Sequence, residues 1–224
     1  MDSYSRADAQ RETAYPIARA GYPFIFAAAF ATAVFALLGL TVLALIGLVV
    51  TGFICYFFRD PDRVTPTQPN AIISPADGKV IRVERLAETH FYSGACMKIS
   101  IFMSVFNVHI NRIPCNGSVS RVAYFPGKFF SANLDKASRE NEHNAVFIDT
   151  GQGLQICMVQ IAGLIARRII CSVQKGDQVT RGQKMGLICF GSRVDVYLPA
   201  DMVPEVAVGD RVAAGTTVLG RFAS

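Results

Sequence analysis

The sequence has no tryptophan and only three histidines, His90, His109 and His143, in 224 residues. No two histidines stand close together and no H-x-H occurs, so the imidazole ligands of a zinc peptidase are missing and no metal is expected. The six cysteines (Cys55, Cys96, Cys115, Cys157, Cys171, Cys189) form no CxxC pair and sit mostly in apolar stretches. They read as buried thiols in a reducing compartment. Dense basic runs, zinc spacings and aromatic-rich binding strands are absent as well, which argues against a nucleic-acid partner.

Charge is missing altogether between Ala20 and Phe58. A membrane-spanning helix needs about 20 apolar residues, and this run is about twice that. One straight helix would overshoot the ~30 Å hydrocarbon core, so two short helices breaking near Leu38-Gly39-Leu40-Thr41 are predicted. They form a hairpin or a shallow re-entrant pair. Arg6, Arg11 and Arg19 precede the run, and Arg59 and Arg63 follow it. Basic flanks favour the cytoplasmic side, which places the protein on the cytoplasmic face of the cell membrane. A net charge of +5 suits contact with anionic headgroups. The chain thus divides into a polar arm (1–19), a hydrophobic membrane-associated segment (20–58) and a β domain (59–224).

From Arg59 onward, short apolar runs alternate with Gly, Pro, Asn and Asp. Strands are predicted at 71–73, 80–83, 97–102, 144–148, 155–160, 169–171, 187–190 and 194–198. IAGLIARR, from Ile161 to Arg168, is the best candidate for a short helix. VQKGDQVTRGQKMGLI (173–188) is echoed by VAVGDRVAAGTTVLGR (206–221). Paired hairpins of this kind resemble the barrel-sandwich hybrid of lipoyl and biotinyl carrier domains. The expected fold is mainly β, barrel-sandwich-hybrid-like, behind an N-terminal hydrophobic helical hairpin. A carrier would need a modifiable lysine at a hairpin tip between the copies, and Lys184-Met185 lies inside the first copy instead. An efflux adaptor would need a long heptad-bearing hairpin, which is missing.

Between the copies, LICFGSRVDVYLP (187–199) joins two strands through a bare Gly191-Ser192. A tight turn accounts for that pair. So does backbone chemistry: a serine hydroxyl can attack the preceding carbonyl, and glycine leaves the approach open. Such an attack needs a base oriented by a carboxylate. SPADGK places Asp77 at a sharp turn, and SVFNVHINRIP places His109 after a strand. Together with Ser192 they complete a Ser-His-Asp set.

Five stretches occur in order: FRDPDR, SPADGKV, NVHINRIP, NEHNA and FGS. In this order they resemble the short, archaeal-type form of the phosphatidylserine decarboxylase proenzymes. The resemblance implies self-cleavage between Gly191 and Ser192 by Asp77, His109 and Ser192. It implies a covalent pyruvoyl cofactor made from Ser192, and a mature enzyme of two chains, 1–191 and 192–224. The reaction implied is decarboxylation of phosphatidylserine to phosphatidylethanolamine, or of another serine-headgroup lipid such as archaetidylserine. Arg59, Arg63 and Arg112 become candidates for the lipid phosphate, and His143, in NEHNA where arginine is commoner, for the headgroup. The partners implied are the phospholipid, the membrane and the protein's own cleaved chain, with a homo-oligomer possible.

Overall fold

A computed structural model describes residues 16–132, 140–151, 153–164 and 168–222. Contacts divide them into two compact units, one ending at Asp62 and one beginning at Arg63.

The first unit is helical. A turn of 3-10 helix, Arg19–Gly21, leads into α1, Tyr22–Leu37, and α2 spans Thr41–Phe57. The break falls where the sequence placed it, with Gly39 at φ +72° closing the turn. α1 and α2 approach closely because a β-carbon on Gly47 would strike Thr32. The threonine hydroxyls cap themselves on their own helices, Thr32 Oγ1 on the Ala28 carbonyl and Thr51 Oγ1 on the Gly47 carbonyl, both at 2.8 Å. Small residues and self-satisfied hydroxyls at a helix contact suit an apolar solvent. Counting its 3-10 turn, Arg19–Leu37 is long and apolar enough to cross a membrane, whereas Thr41–Phe57 is shorter.

The second unit is β, as expected. Its first seven strands are β1 Ala71–Ile73, β2 Gly78–Leu86, β3 Cys96–Met103, β4 Ile110–Arg112, β5 Gly117–Phe125, β6 His143–Asp149 and β7 Gln155–Ala162. Seven more follow: β8 Ile169–Cys171, β9 Gln178–Val179, β10 Lys184–Ile188, β11 Ser192–Pro199, β12 Val203–Pro204, β13 Arg211–Val212 and β14 Val218–Arg221. Two three-stranded sheets, β1-β14-β12 and β4-β10-β8, accompany an eight-stranded sheet ordered β13-β2-β3-β11-β7-β6-β5-β9.

The helix expected over Ile161–Arg168 is not the local structure at its start. Ile161 and Ala162 end β7, paired to Arg193 and Ser192 on β11. Two flanking strands satisfy that backbone, which overrides the helical spacing of the apolar residues. Residues 165–167 lie outside the described residues.

The order of the large sheet reads as a palindrome, and the registers agree. β1 on β14 and β4 on β10 share a bulge, as do β2 on β3 and β5 on β6. Gly78 and Gly117 correspond, since a β-carbon on either would strike a carbonyl of the next strand, that of Phe102 or Asp149. Asp177 and Asp210 accept backbone N–H bonds from Gln174 and Ala207 at 2.9 and 2.8 Å. The unit is therefore two copies of one seven-stranded motif. The inner copy, β4 to β10, is continuous. The outer copy, β1–β3 plus β11–β14, is split around it. The repeat visible in the sequence is the tail of each copy.

One core cluster includes Ile99, Ile101, Met103, Met158, Val194 and Val196, all with no exposed surface. A smaller cluster on the other sheet face includes Cys157, Val159, Ile161 and Tyr197. The cysteines are free thiols. Burial pushes Cys115 up to about 12 and raises Cys96, Cys157 and Cys189, so these four are unreactive core atoms at neutral pH.

Candidate active site

Ser192 opens β11, where the chain re-enters the outer copy. The two residues before it are both left-handed, Phe190 at φ +56° and Gly191 at φ +67°. For phenylalanine that conformation costs about 1–2 kcal/mol, so strain is stored directly before the Gly-Ser peptide. Nothing lies within 4 Å of where a Gly191 β-carbon would be. The backbone angle, not crowding, calls for glycine there.

Ser192 has no exposed surface, and its Oγ lies 3.4 Å from the Met103 sulfur. A thioether is a weak acceptor, so the hydroxyl is held lightly and turns at little cost. His109 is buried, and its Nδ1 lies 3.0 Å from the Asn107 carbonyl. A carbonyl only accepts, so Nδ1 carries the proton and the lone pair is on Nε2. That lone pair accepts the Gly191 N–H at 3.3 Å. His109 therefore faces the peptide unit just before the Gly-Ser bond.

Asp77 is half of a different pair. One carboxylate oxygen accepts the Ala214 N–H at 2.7 Å and the other meets Arg63 at 2.9 Å. Its link to His109 runs through backbone, because Arg112 N–H at the end of β4 donates to the Pro75 carbonyl at 2.9 Å. Behind the Gly-Ser peptide, a β-carbon on Gly163 would overlap the Gly191 carbonyl oxygen. Gly163 thus forms the wall against which that carbonyl rests. Beside Ser192, three buried amides run in series. Asn144 donates to Gln160 at 3.1 Å, Gln160 to Asn111 at 2.9 Å, and Asn111 to the same Met103 sulfur at 3.7 Å.

The duplication separates what the fold needs from what it does not. Asn116 is the counterpart of Asp77 and makes the same backbone bond, accepting Arg181 N–H at 2.8 Å. Asn70 is the counterpart of His109, and Gly153-Leu154 that of Gly191-Ser192, with Gly153 also left-handed at φ +76°. The amides Asn111, Asn144 and Gln160 correspond to Ile72, Met97 and Leu198. One end of the pseudo-symmetric unit carries carboxylate, imidazole, hydroxyl and an amide chain. The other carries Asn, Asn, Leu and apolar residues in the same backbone frame.

The remaining predicted contact residues are each engaged by partners of their own unit. Arg59, in the helical unit, donates to the Tyr56 carbonyl at 2.7 Å and stacks over that ring. Arg63 is engaged with Asp77, while Arg112 is buried with Nη1 on the Gly182 carbonyl at 2.9 Å. His143 pairs across the sheet with Ile161, itself opposite Arg193, so it occupies the face away from Ser192. There it stacks on Phe125 and bonds the Asn141 carbonyl at 2.6 Å. An open pocket of about 450 Å³ beside His90 and Arg121 borders Gln155. Seven residues of strand, ~23 Å, separate Gln155 from the Ala162 that faces Ser192, so this pocket is remote from the chemistry. Among the described residues no cluster of His, Cys, Asp and Glu could hold a metal.

Sequence reasoning did not single out Gly163, Met103 or the three amides. For Asn111 a signal was present, in NVHINRIP; for Gly163 the IAG triplet was absorbed into an expected helix.

The structure is thus a mainly β protein with apolar N-terminal helices, in which a buried histidine meets the backbone beside a Gly-Ser pair. The family model for phosphatidylserine decarboxylase matches residues 50–220. The chain is 50% identical over 207 residues to the phosphatidylserine decarboxylase proenzyme of Desulfotalea psychrophila, covering 92% of this chain and 97% of that one. It is 52% identical over 205 residues to the proenzyme of Geotalea uraniireducens (92% and 96%) and 49% over 211 to that of Nitratidesulfovibrio vulgaris (94% and 97%). The chain belongs to the phosphatidylserine decarboxylase family and is a carboxy-lyase.

Proposed function

We propose that the chain cuts itself between Gly191 and Ser192 and then decarboxylates phosphatidylserine to phosphatidylethanolamine at a pyruvoyl group made from Ser192. The observation that supports this best is the His109 lone pair on the Gly191 amide, beside a lightly held Ser192 hydroxyl and a strained Phe190-Gly191 pair. The other end of the unit repeats the backbone, with Gly153 also left-handed, and has Asn70, Asn116 and Leu154 where this end has His109, Asp77 and Ser192.

His109 Nε2 takes the Ser192 proton as Oγ adds to the Gly191 carbonyl, and the amide becomes an ester. Removal of the Ser192 α-proton expels the Gly191 carboxylate, leaving dehydroalanine. Water then releases ammonia and leaves the pyruvoyl residue. Asp77, whose turn is tied to β4 by the Arg112 N–H on the Pro75 carbonyl, favours the imidazolium that forms. Gly163 fixes the carbonyl under attack. The pyruvoyl group supplies an electron sink for the electrons left behind by carbon dioxide. The residues fit that role: position 192 is fully buried and flanked by a buried amide chain. The apolar helices rest in the cytoplasmic face of the cell membrane, where the substrate lies.

Intact mass under denaturing conditions should show two chains, 1–191 and 192–224, the smaller one reacting with a hydrazide at its N-terminus. Vesicles of phosphatidylserine should yield phosphatidylethanolamine and carbon dioxide. A single uncut chain in the presence of membranes would sink the proposal. Gly163→Ala should remain folded and cut itself about 100-fold more slowly, since a misplacement of about 1 Å at a reacting carbonyl costs that much. A time course by intact mass decides it, and cutting at the wild-type rate would free Gly163 of any such role.

A further inference from the structure

Arg193, the residue after Ser192, has no exposed surface. Its guanidinium grips Asp195, also fully buried, through Nε at 2.6 Å and Nη2 at 2.9 Å. Nη2 also donates to Ser100 Oγ on β3 at 3.0 Å. Lys98 stands 3.8 Å from Asp195 and 3.2 Å from Glu84. This cluster lies on the sheet face opposite Ser192, so it touches neither the hydroxyl nor His109.

The fold does not need it. In the inner copy the counterparts of Arg193, Asp195, Ser100, Lys98 and Glu84 are Gln155, Cys157, Phe147, Ala145 and Ala123. Phe147, Ala145 and Cys157 fill that space as an apolar core. Buried ion pairs are often no more stabilising than apolar residues of similar volume. A fully buried ion pair in one copy, against an apolar core rimmed by a Gln155–Asp149 hydrogen bond in the other, therefore asks for a reason other than stability.

The two copies differ in one respect at this point. In the inner copy β7 follows β6 through a short hairpin, so Gln155 is held covalently from both sides. In the outer copy the same position is one residue from the proposed cut. After the cut, residue 192 has no covalent neighbour before it, and an unanchored strand end frays.

We propose that the Arg193–Asp195–Ser100 cluster anchors the new chain end, holding the pyruvoyl residue still for decarboxylation. Arg193 is thus a positioning residue that acts after cutting. The inference rests on self-cleavage at Gly191–Ser192.

The test replaces the pair by apolar residues, Arg193→Met with Asp195→Val, in the full chain. The double variant should mature to two chains at the wild-type rate and keep its Tm within a few degrees. Its kcat on phosphatidylserine vesicles should fall at least tenfold with KM changed less than threefold, and its pyruvoyl group should react several-fold faster with a small hydrazide. A matured variant with kcat and hydrazide reactivity within twofold of wild type overturns the anchor. So does a folded variant that fails to cut, which would place the cluster before cleavage. Should the double variant not fold, Ser100→Ala removes one Arg193 bond and leaves the ion pair. A two- to fivefold loss of kcat in the cut protein supports the anchor, and an unchanged kcat overturns it. If wild type itself stays uncut, self-cleavage fails and not merely the anchor.

Discussion

Asp77→Asn is expected to fold like the wild type and remain a single chain. The reason is printed in the other half of the molecule. Asn116 holds the matching turn with its side-chain oxygen on a backbone N–H at 2.8 Å, so an amide at 77 can keep the Ala214 bond. What the substitution removes is the charge. The ion pair with Arg63 is partly exposed, with side chains 24% and 13% accessible, and such pairs contribute about 1 kcal/mol or less. Stability should barely move. Cutting should slow by about 10²- to 10⁴-fold, the range for losing the carboxylate that supports a catalytic imidazole. Intact mass against time, beside a melting curve, reads both quantities. A variant that cuts itself at the wild-type rate would reduce Asp77 to a turn residue.

Ser192→Ala should stop maturation outright. Alanine offers no oxygen to the Gly191 carbonyl, and so no ester, no dehydroalanine and no pyruvoyl group can form. The protein should stay one chain through prolonged incubation with membranes, bind no hydrazide and release no carbon dioxide. Its Tm should lie close to wild type, because the lost hydroxyl had a thioether as its partner at 3.4 Å, a weak acceptor whose loss costs little. A cut Ser192→Ala chain would move the scissile bond elsewhere. An uncut but active one would remove the pyruvoyl group from the chemistry.

Much of this was legible in the sequence because its signals are local. The charge-free run with Gly39 at its centre gave the two helices, and the Gly-Asp echoes gave the tails of the two copies. The nested order of the copies was not legible, since it depends on β3 and β11 meeting across the whole inner copy. Ile161 and Ala162 carry apolar residues at spacings compatible with either helix or strand, and only the pairing with Ser192 and Arg193 decides between them. The second oxygen of Asp77 was equally hidden, because its partner Arg63 lies on a segment with no regular structure. Nothing local in the sequence marks Arg193 as buried; its burial follows from a central strand flanked on both edges.

The split outer copy has a consequence for the cut molecule's physical history. The stretch 192–224 supplies β11, between β3 and β7, and also β12, β13 and β14 in two different sheets. A cut at Gly191–Ser192 would leave this stretch interwoven rather than detached. It would change the molecule's return from the unfolded state. The uncut chain refolds as one molecule at a rate independent of dilution, whereas the matured pair has to find its partner first, making recovery second order. A cut there would thus turn a fold that one chain can regain alone into one preserved by the height of its unfolding barrier.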